Sequence, residues 1–119
     1  MGRTHKVLVV EDEFLIAMEL RRTLTEAGYD VVGPVASVSD ALSLLQQSHP
    51  DACVLDVNLR GQTACPIAEV LRSMKVPFVL STAYSQNEID THAALAGASN
   101  IGKPAPRQDL LQAVAELVG

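Results

Sequence analysis

Aromatic side chains, cysteines and long apolar runs are all scarce in this sequence of 119 residues. With no tryptophan and only 3% aromatic residues, the core must be built from Val, Leu, Ile and Ala. The two cysteines, Cys53 and Cys65, lack Cys-x-x-Cys spacing, which favours reduced thiols over a disulfide scaffold. No stretch approaches the ~18–20 apolar residues of a membrane span, and the charged opening residues 1–6 do not resemble a signal peptide. We therefore expect a soluble, cytoplasmic protein.

Positive charge is also in short supply. Nine basic against fourteen acidic residues give a net charge of −5 at pH 7. This balance disfavours non-specific binding to nucleic acids or anionic membranes, which requires positive charge. A composition of 48% hydrophobic and 19% charged residues is typical of an ordered globular chain. The length is that of a single domain, which we expect to span residues 1–119.

Short apolar runs alternate with stretches of helical periodicity along the chain. Residues 7–10 have the continuous apolar pattern of a strand buried on both faces. Further strands are predicted at residues 31–35, 52–55, 77–80 and 100–102. Apolar residues at helical spacing predict helices over residues 16–27, 38–45, 67–74, 88–96 and 110–118. Because Pro34 has no N–H to donate, the second strand should lie at an edge.

Five strands and five helices in alternation indicate an α/β fold. The expected architecture is a doubly wound, five-stranded parallel sheet with helices on both faces. Such sheets bind ligands at the carboxyl ends of their strands. The polar residues that follow the predicted strands there are Glu11, Asp12, Asp56, Thr82 and Lys103.

Three clustered carboxylates repel one another, and a hard divalent cation offsets that repulsion. Asp12 and Asp56 are candidate direct ligands of Mg²⁺, with Mn²⁺ as the alternative metal. Glu11 could bind through water, and the backbone carbonyl of Asn58 could supply another oxygen. A carboxylate beside Mg²⁺ can attack phosphorus and form an aspartyl phosphate. Lys103 and the Thr82 hydroxyl would then meet the phosphoryl oxygens.

These residues carry a resemblance to a known family. Glu11-Asp12, Asp56, Thr82-Ala83 and Lys103-Pro104, in this order and at these strand ends, resemble the receiver domain of two-component response regulators. The resemblance covers essentially the whole chain. It implies a flavodoxin-like sheet with strand order 2-1-3-4-5 and a cis peptide bond between Lys103 and Pro104.

The resemblance also implies roles and partners. Asp56 would accept a phosphoryl group, the acidic pair would bind Mg²⁺, and Thr82 and Lys103 would read the phosphorylated state. The donor would be a sensor histidine kinase or a histidine phosphotransfer protein, and the output would be contact with a downstream protein. The domain would catalyse only its own phosphotransfer and dephosphorylation. We expect a monomer or weak dimer, without DNA binding, because no helix-turn-helix region follows the receiver pattern.

A narrower likeness lies in residues 77–84. Their sequence, Pro-Phe-Val-Leu-Ser-Thr-Ala-Tyr, is similar to the Pro-Phe-x-Phe-Ala-Thr-Gly-Tyr run of an alphaproteobacterial receiver subclass. Members of that subclass often stand alone or sit beside sigma-factor-like domains. Ser81 and Ala83 depart from the run.

Two other departures concern the switch. Most receivers have an aromatic residue three positions before the lysine, where this chain has Asn100, and a bulky residue after the Lys-Pro pair, where it has Ala105. The aromatic side chain whose rotation reports phosphorylation in most receivers is therefore missing. Thr82, Tyr84 and Asn100 are the remaining switch candidates.

Three other classes of function remain as alternatives. A phosphatase of the haloacid dehalogenase type would carry Asp-x-Asp after the first strand and a cap for its substrate. A nucleotide or flavin binder would need a glycine-rich loop there, where Glu11 and Asp12 would repel phosphate. A receiver that is never phosphorylated would serve only as a scaffold.

Overall fold

Strands and helices alternate over residues 6–47, as the sequence predicts, but three strands then follow one another, and the last helix directly follows the one before it. The computed structural model describes residues 4–119, so the first part of the charged opening segment lies outside the described residues. The strands are β1 (Lys6–Val10), β2 (Asp30–Val35), β3 (Ala52–Leu55), β4 (Asn58–Leu59), β5 (Gln62–Thr63) and β6 (Phe78–Leu80). The helices are α1 (Phe14–Glu26), α2 (Val38–Gln47), α3 (Cys65–Ser73), α4 (Gln86–Asp90) and α5 (Arg107–Val118). No helix within residues 4–119 is long and apolar enough to cross a membrane.

The main sheet is parallel and has the order β2-β1-β3-β6. Successive residues of the central strand β1 point to opposite faces, because strand side chains alternate. Leu8 and Val10 pack with buried residues of α2 and α3, whereas Val7 and Val9 pack with those of α1 and α5. The sheet is therefore doubly wound, as predicted, and it fixes where the loops after its strands emerge.

The predicted edge position of the second strand is confirmed, since β2 is the outermost strand of the sheet. Gly33 and Pro34 lie within it, and Gly33 adopts a φ of +88°. A side chain is disfavoured at such a φ, and here it would also meet neighbouring backbone.

Gly33→Ala should lower the free energy of unfolding by about 2–4 kcal/mol. Its Cβ would lie 2.9 Å from the Val35 nitrogen and 3.0 Å from the Val9 oxygen. Gly28→Ala is the matched control, because Gly28 has a φ of +95° and a Cβ added there would meet nothing within 4 Å. The control should lose only about 1–2 kcal/mol from backbone strain. Urea unfolding measures both losses, and equal losses would contradict the close contact.

The predicted fifth strand is reduced to a single bridge between Asn100 and Leu80. The Leu80 amide donates to the Ser99 carbonyl at 2.8 Å, and the Ile101 amide donates to the Leu80 carbonyl at 2.9 Å. Gly102 then takes a φ of +89°, which ends the extended backbone. The segment still lies beside β6, where the last strand of the predicted order 2-1-3-4-5 belongs.

Two further elements differ from the prediction. Helix α4 begins at a capping box of Ser85 and Glu88 and ends at Asp90, so it is shorter than the predicted 88–96. The Thr91 hydroxyl donates to the Glu88 carbonyl at 2.7 Å, a local bond that competes with continued helix. The hairpin of β4 and β5 was not predicted from the sequence. Its two-residue turn, 60–61, has positive φ at both positions, the geometry of a type I′ turn.

Candidate functional site

The loops after β1, β3 and β6 meet at one edge of the sheet, as expected for parallel strands. They line a groove of about 230 Å³ with the segment before α5. The residues that line it are Asp12, Glu13, Asp56, Asn58, Thr82, Ala83, Tyr84 and Lys103. Apart from Glu11 and Asn100, every residue proposed for the site from the sequence lines this groove or directly follows a lining residue in the chain. Glu11 lies behind this lining and contacts the lining residue Lys103.

An acidic cluster occupies one side of the groove. Carboxylate oxygens of Glu11, Asp12 and Asp56 lie within 4.8 Å of one another. Glu11 is 2% exposed and Asp56 is 3% exposed, so little water screens their charges. The fold brings together the three carboxylates that the sequence singled out.

Lys103 is the cation that faces this cluster. Its Nζ lies 2.8 Å from Asp56 Oδ2, 2.9 Å from Glu13 Oε1 and 3.1 Å from Glu11 Oε2. Burial alone would lower the pKa of Lys103, but its hydrogen bonds to the three carboxylates outweigh burial and raise the pKa. The peptide bond from Lys103 to Pro104 is cis. The role of Glu13 was missed from the sequence, although it directly follows the acidic pair.

Glu11 has one oxygen without a partner. Its Oε2 accepts hydrogen bonds from the Glu13 amide at 3.0 Å and from Lys103 at 3.1 Å. Its Oε1 is buried, and no partner for it lies within the described residues. Burial raises the pKa of Glu11 to about 7; the Glu13 amide opposes this rise, and the charge of Asp56 adds to it. A bound cation with its water shell would satisfy the orphaned oxygen.

Asp12 connects the acidic cluster to the hairpin of β4 and β5. Its Oδ2 accepts the Arg60 amide at 2.9 Å, and Asn58 Oδ1 accepts the Gly61 amide at 3.1 Å. These bonds fix the loop that follows Asp56. The ligand atoms that the cluster offers to a metal are carboxylate oxygens, which hard cations such as Mg²⁺ prefer. The residues present therefore fit a divalent metal.

The other side of the groove is formed by the loop after β6. Thr82 is buried, and its Oγ1 accepts the Tyr84 amide at 3.2 Å, which leaves the hydroxyl proton free to be donated. The Asn100 side chain reaches this loop from the bridge segment. Ser81 Oγ donates to the Gly102 carbonyl at 2.9 Å. The loop that carries Thr82 is thus bonded to the residues that precede Lys103.

Cys53 and Cys65 lie away from this groove. Cys53 is buried within β3, as predicted for a small core residue, and burial raises the pKa of its thiol. Cys65 is the first residue of α3. Neither takes part in the constellation of charged groups.

Comparison with known proteins identifies the class. The family model of the response regulator receiver domain matches residues 7–115. The chain therefore belongs to the receiver domain family, the phosphoaccepting signalling modules of two-component systems. Receiver domains interact with histidine kinases or phosphotransfer proteins.

Particular relatives support the same assignment. The chain is 34% identical over 111 residues to the transcriptional regulatory protein PdtaR of Mycobacterium tuberculosis, a match that covers 92% of this chain and 54% of that protein. It is 42% identical over 84 residues to the sensory transduction protein LytT of Bacillus cereus, covering 68% of this chain and 34% of that protein. The chain thus spans about half or less of the length of these curated relatives.

Solved structures agree with the fold. The BeF3-activated conformation of SdrG from Pseudomonas melonis Fr1 matches with a TM-score of 0.79 and 34% identity, and covers 100% of both chains. A response regulator from Chloroflexus aurantiacus matches with a TM-score of 0.84 and 29% identity, covering 98% of each chain. The receiver domain of PhyR from Erythrobacter litoralis, at 23% identity and a TM-score of 0.85, supports the fold alone.

Proposed function

We propose that Asp56 accepts a phosphoryl group in a reaction that depends on Mg²⁺, and that its phosphorylation switches the protein contacts of this chain. The observation that carries the proposal is the position of the Asp56 carboxylate. It lies at the end of β3, 2.8 Å from Lys103 Nζ and within 4.8 Å of the oxygens of Glu11 and Asp12. It also lines a groove that is open to a donor.

The chemistry follows from the charges around Asp56. A carboxylate oxygen of Asp56 attacks the phosphorus atom, and the bond between phosphorus and its donor breaks. Lys103 and the Thr82 hydroxyl would donate hydrogen bonds to the phosphoryl oxygens. The carboxylates of Glu11, Asp12 and Asp56, with the Asn58 carbonyl, would hold the metal. When bound there, Mg²⁺ would neutralise the negative charge that collects at this site.

The partners follow from the family. The donor is a phosphohistidine on a sensor histidine kinase or on a histidine phosphotransfer protein. The recipient of the signal is a further protein, whose affinity for this chain differs between the two states. Phosphorylation adds charge and acceptor oxygens that Thr82 and Lys103 turn to meet. The chain acts as an interaction module, and its chemistry is limited to its own phosphotransfer and dephosphorylation.

Intact mass spectrometry tests the proposal. We expect incubation with Mg²⁺ and acetyl phosphate to add about 80 Da, the mass of one phosphoryl group, and excess EDTA to prevent the gain. Beryllofluoride, which mimics the phosphoryl group, removes the dependence on a particular donor. The absence of both the mass gain and any beryllofluoride-dependent change in the amide NMR spectrum would overturn the proposal.

A further inference from the structure

The side chain of Asn100 has an unusually complete set of hydrogen bonds. Its Oδ1 accepts the amides of Thr82 at 3.1 Å and of Gly102 at 3.0 Å. Its Nδ2 donates to the carbonyls of Thr82 at 3.2 Å and of Tyr84 at 3.3 Å. A carboxamide has two donor hydrogens and two acceptor lone pairs, so all four are used.

Three of these bonds join the segment of Asn100 to a separate segment of the chain, and the fourth, from the Gly102 amide, lies within the segment of Asn100 itself. Thr82 and Tyr84 belong to the loop after β6, while Gly102 directly precedes Lys103. The backbone pairing between β6 and the bridge segment ends with the bond from Ile101 to Leu80. Beyond that point, the bonds of the Asn100 carboxamide to Thr82 and Tyr84 and the bond from Ser81 Oγ to the Gly102 carbonyl hold the two segments together.

The position of this carboxamide matters because each of the two segments carries a group of the site. Thr82 and Lys103 are the two groups that the proposed function assigns to one phosphoryl group. If their backbones moved independently, bringing both to the same ligand would cost additional conformational entropy. A side chain that fixes both backbones removes that cost in advance.

We propose that Asn100 is a positioning residue that keeps Thr82 and Lys103 in register, so that both reach a single phosphoryl group. This inference rests on the proposed function of Asp56. Asn100 does not touch the phosphoryl group itself. It acts through its hydrogen bonds to the backbones of Thr82 and Gly102. It occupies the sequence position that an aromatic residue has in most receivers.

The test compares two ligands that place different demands on Asn100. Binding of Mg²⁺ depends on the acidic cluster. Binding of beryllofluoride in the presence of Mg²⁺ also depends on Thr82 and Lys103. Asn100→Leu, which is similar in size and uncharged, removes all four hydrogen bonds. We expect it to weaken beryllofluoride binding about tenfold, the effect of one to two lost hydrogen bonds, while Mg²⁺ affinity stays within about twofold of the parent.

Amide NMR adds a readout of coupling. In the parent protein the Thr82 and Gly102 amides should shift together with one midpoint as beryllofluoride is added. In Asn100→Leu the Gly102 response should shrink while the Thr82 response remains. A purely structural role for Asn100 would weaken the binding of both ligands alike and would leave the two amides coupled.

A second variant keeps the inference testable if Asn100→Leu does not fold. Asn100→Asp preserves the shape and the two acceptor roles, but it loses both donors and faces the carbonyls of Thr82 and Tyr84 with a negative charge. Asn87→Asp, on the exposed surface of α4, is its control for the added charge. Asn100→Asp should weaken beryllofluoride binding about tenfold, and the control should not.

The outcomes separate the two proposals. If the parent protein binds no beryllofluoride, the proposed function fails. If the parent binds it and either folded Asn100 variant binds within about twofold, the positioning role is wrong. Loss of folding in both variants would assign Asn100 to the fold and would overturn the inference as well.

Discussion

Asp56→Asn should remain unphosphorylated under conditions in which the parent protein gains one phosphoryl group. The amide that replaces the carboxylate is a poor nucleophile toward phosphorus, and the substitution is close to isosteric. Its Oδ1 can still accept a hydrogen bond from Lys103, which keeps Glu11 and Glu13 as charged partners. We therefore expect a complete loss of the mass gain without a large fall in melting temperature.

Asp30→Asn is the matched control for this experiment. Asp30 is exposed at the start of β2, whereas the groove lies where the strands end. The control protein should be phosphorylated to the same extent as the parent. A mass gain that persists in Asp56→Asn would show that another group accepts the phosphoryl group, and the assignment of Asp56 would be wrong.

Lys103→Met should lower the free energy of unfolding by about 3 kcal/mol when Mg²⁺ is absent. The substitution leaves the buried carboxylates of Glu11 and Asp56 beside each other without the ammonium that lies 3.1 and 2.8 Å from them. An uncompensated buried charge is far more costly than a broken surface pair. Urea unfolding at pH 7 with EDTA measures the loss directly.

Mg²⁺ should recover more stability in Lys103→Met than in the parent protein, because the metal then supplies the positive charge that Lys103 no longer brings to the cluster. Lys6→Met serves as the control. Lys6 is exposed at the start of β1, and its substitution should change stability by no more than about 0.5 kcal/mol. A Lys103→Met protein as stable as this control would mean that Lys103 does not neutralise the cluster.

The part of the fold that positions the site could be predicted from short-range patterns. Three continuous apolar runs became β1, β3 and β6, because strands buried on both faces carry no polar alternation. The residues just after such strands share one edge of the sheet, which made Asp12, Asp56 and Thr82 recognisable. This reasoning uses only the local sequence and the geometry of parallel strands.

The details that depend on a specific backbone geometry or on distant pairing could not be predicted. Arg60 has a φ of 53° in a turn where glycine, asparagine or aspartate is usual, so the sequence carries no clear signal for the hairpin. Lys103 and Glu11 are 92 positions apart, and their contact exists only once the sheet has formed. At Asn100 the sequence lacks the usual aromatic residue, but the three hydrogen bonds from its side chain to Thr82 and Tyr84 follow from the arrangement of two separate segments. The likeness to the alphaproteobacterial subclass stays a prediction.

The two edges of the sheet bear on how this protein behaves at high concentration. Exposed strand edges invite pairing between molecules and are starting points for aggregation. At one edge, Pro34 has no N–H to offer and Gly33 turns the backbone away from regular strand geometry. At the other, residues 99–101 take the hydrogen-bonding groups of Leu80, and Gly102 ends this outer segment after a single bridge, so the edge it offers is very short. Both edges are poor templates for a further strand, which should let the chain accumulate in solution without polymerising through its sheet.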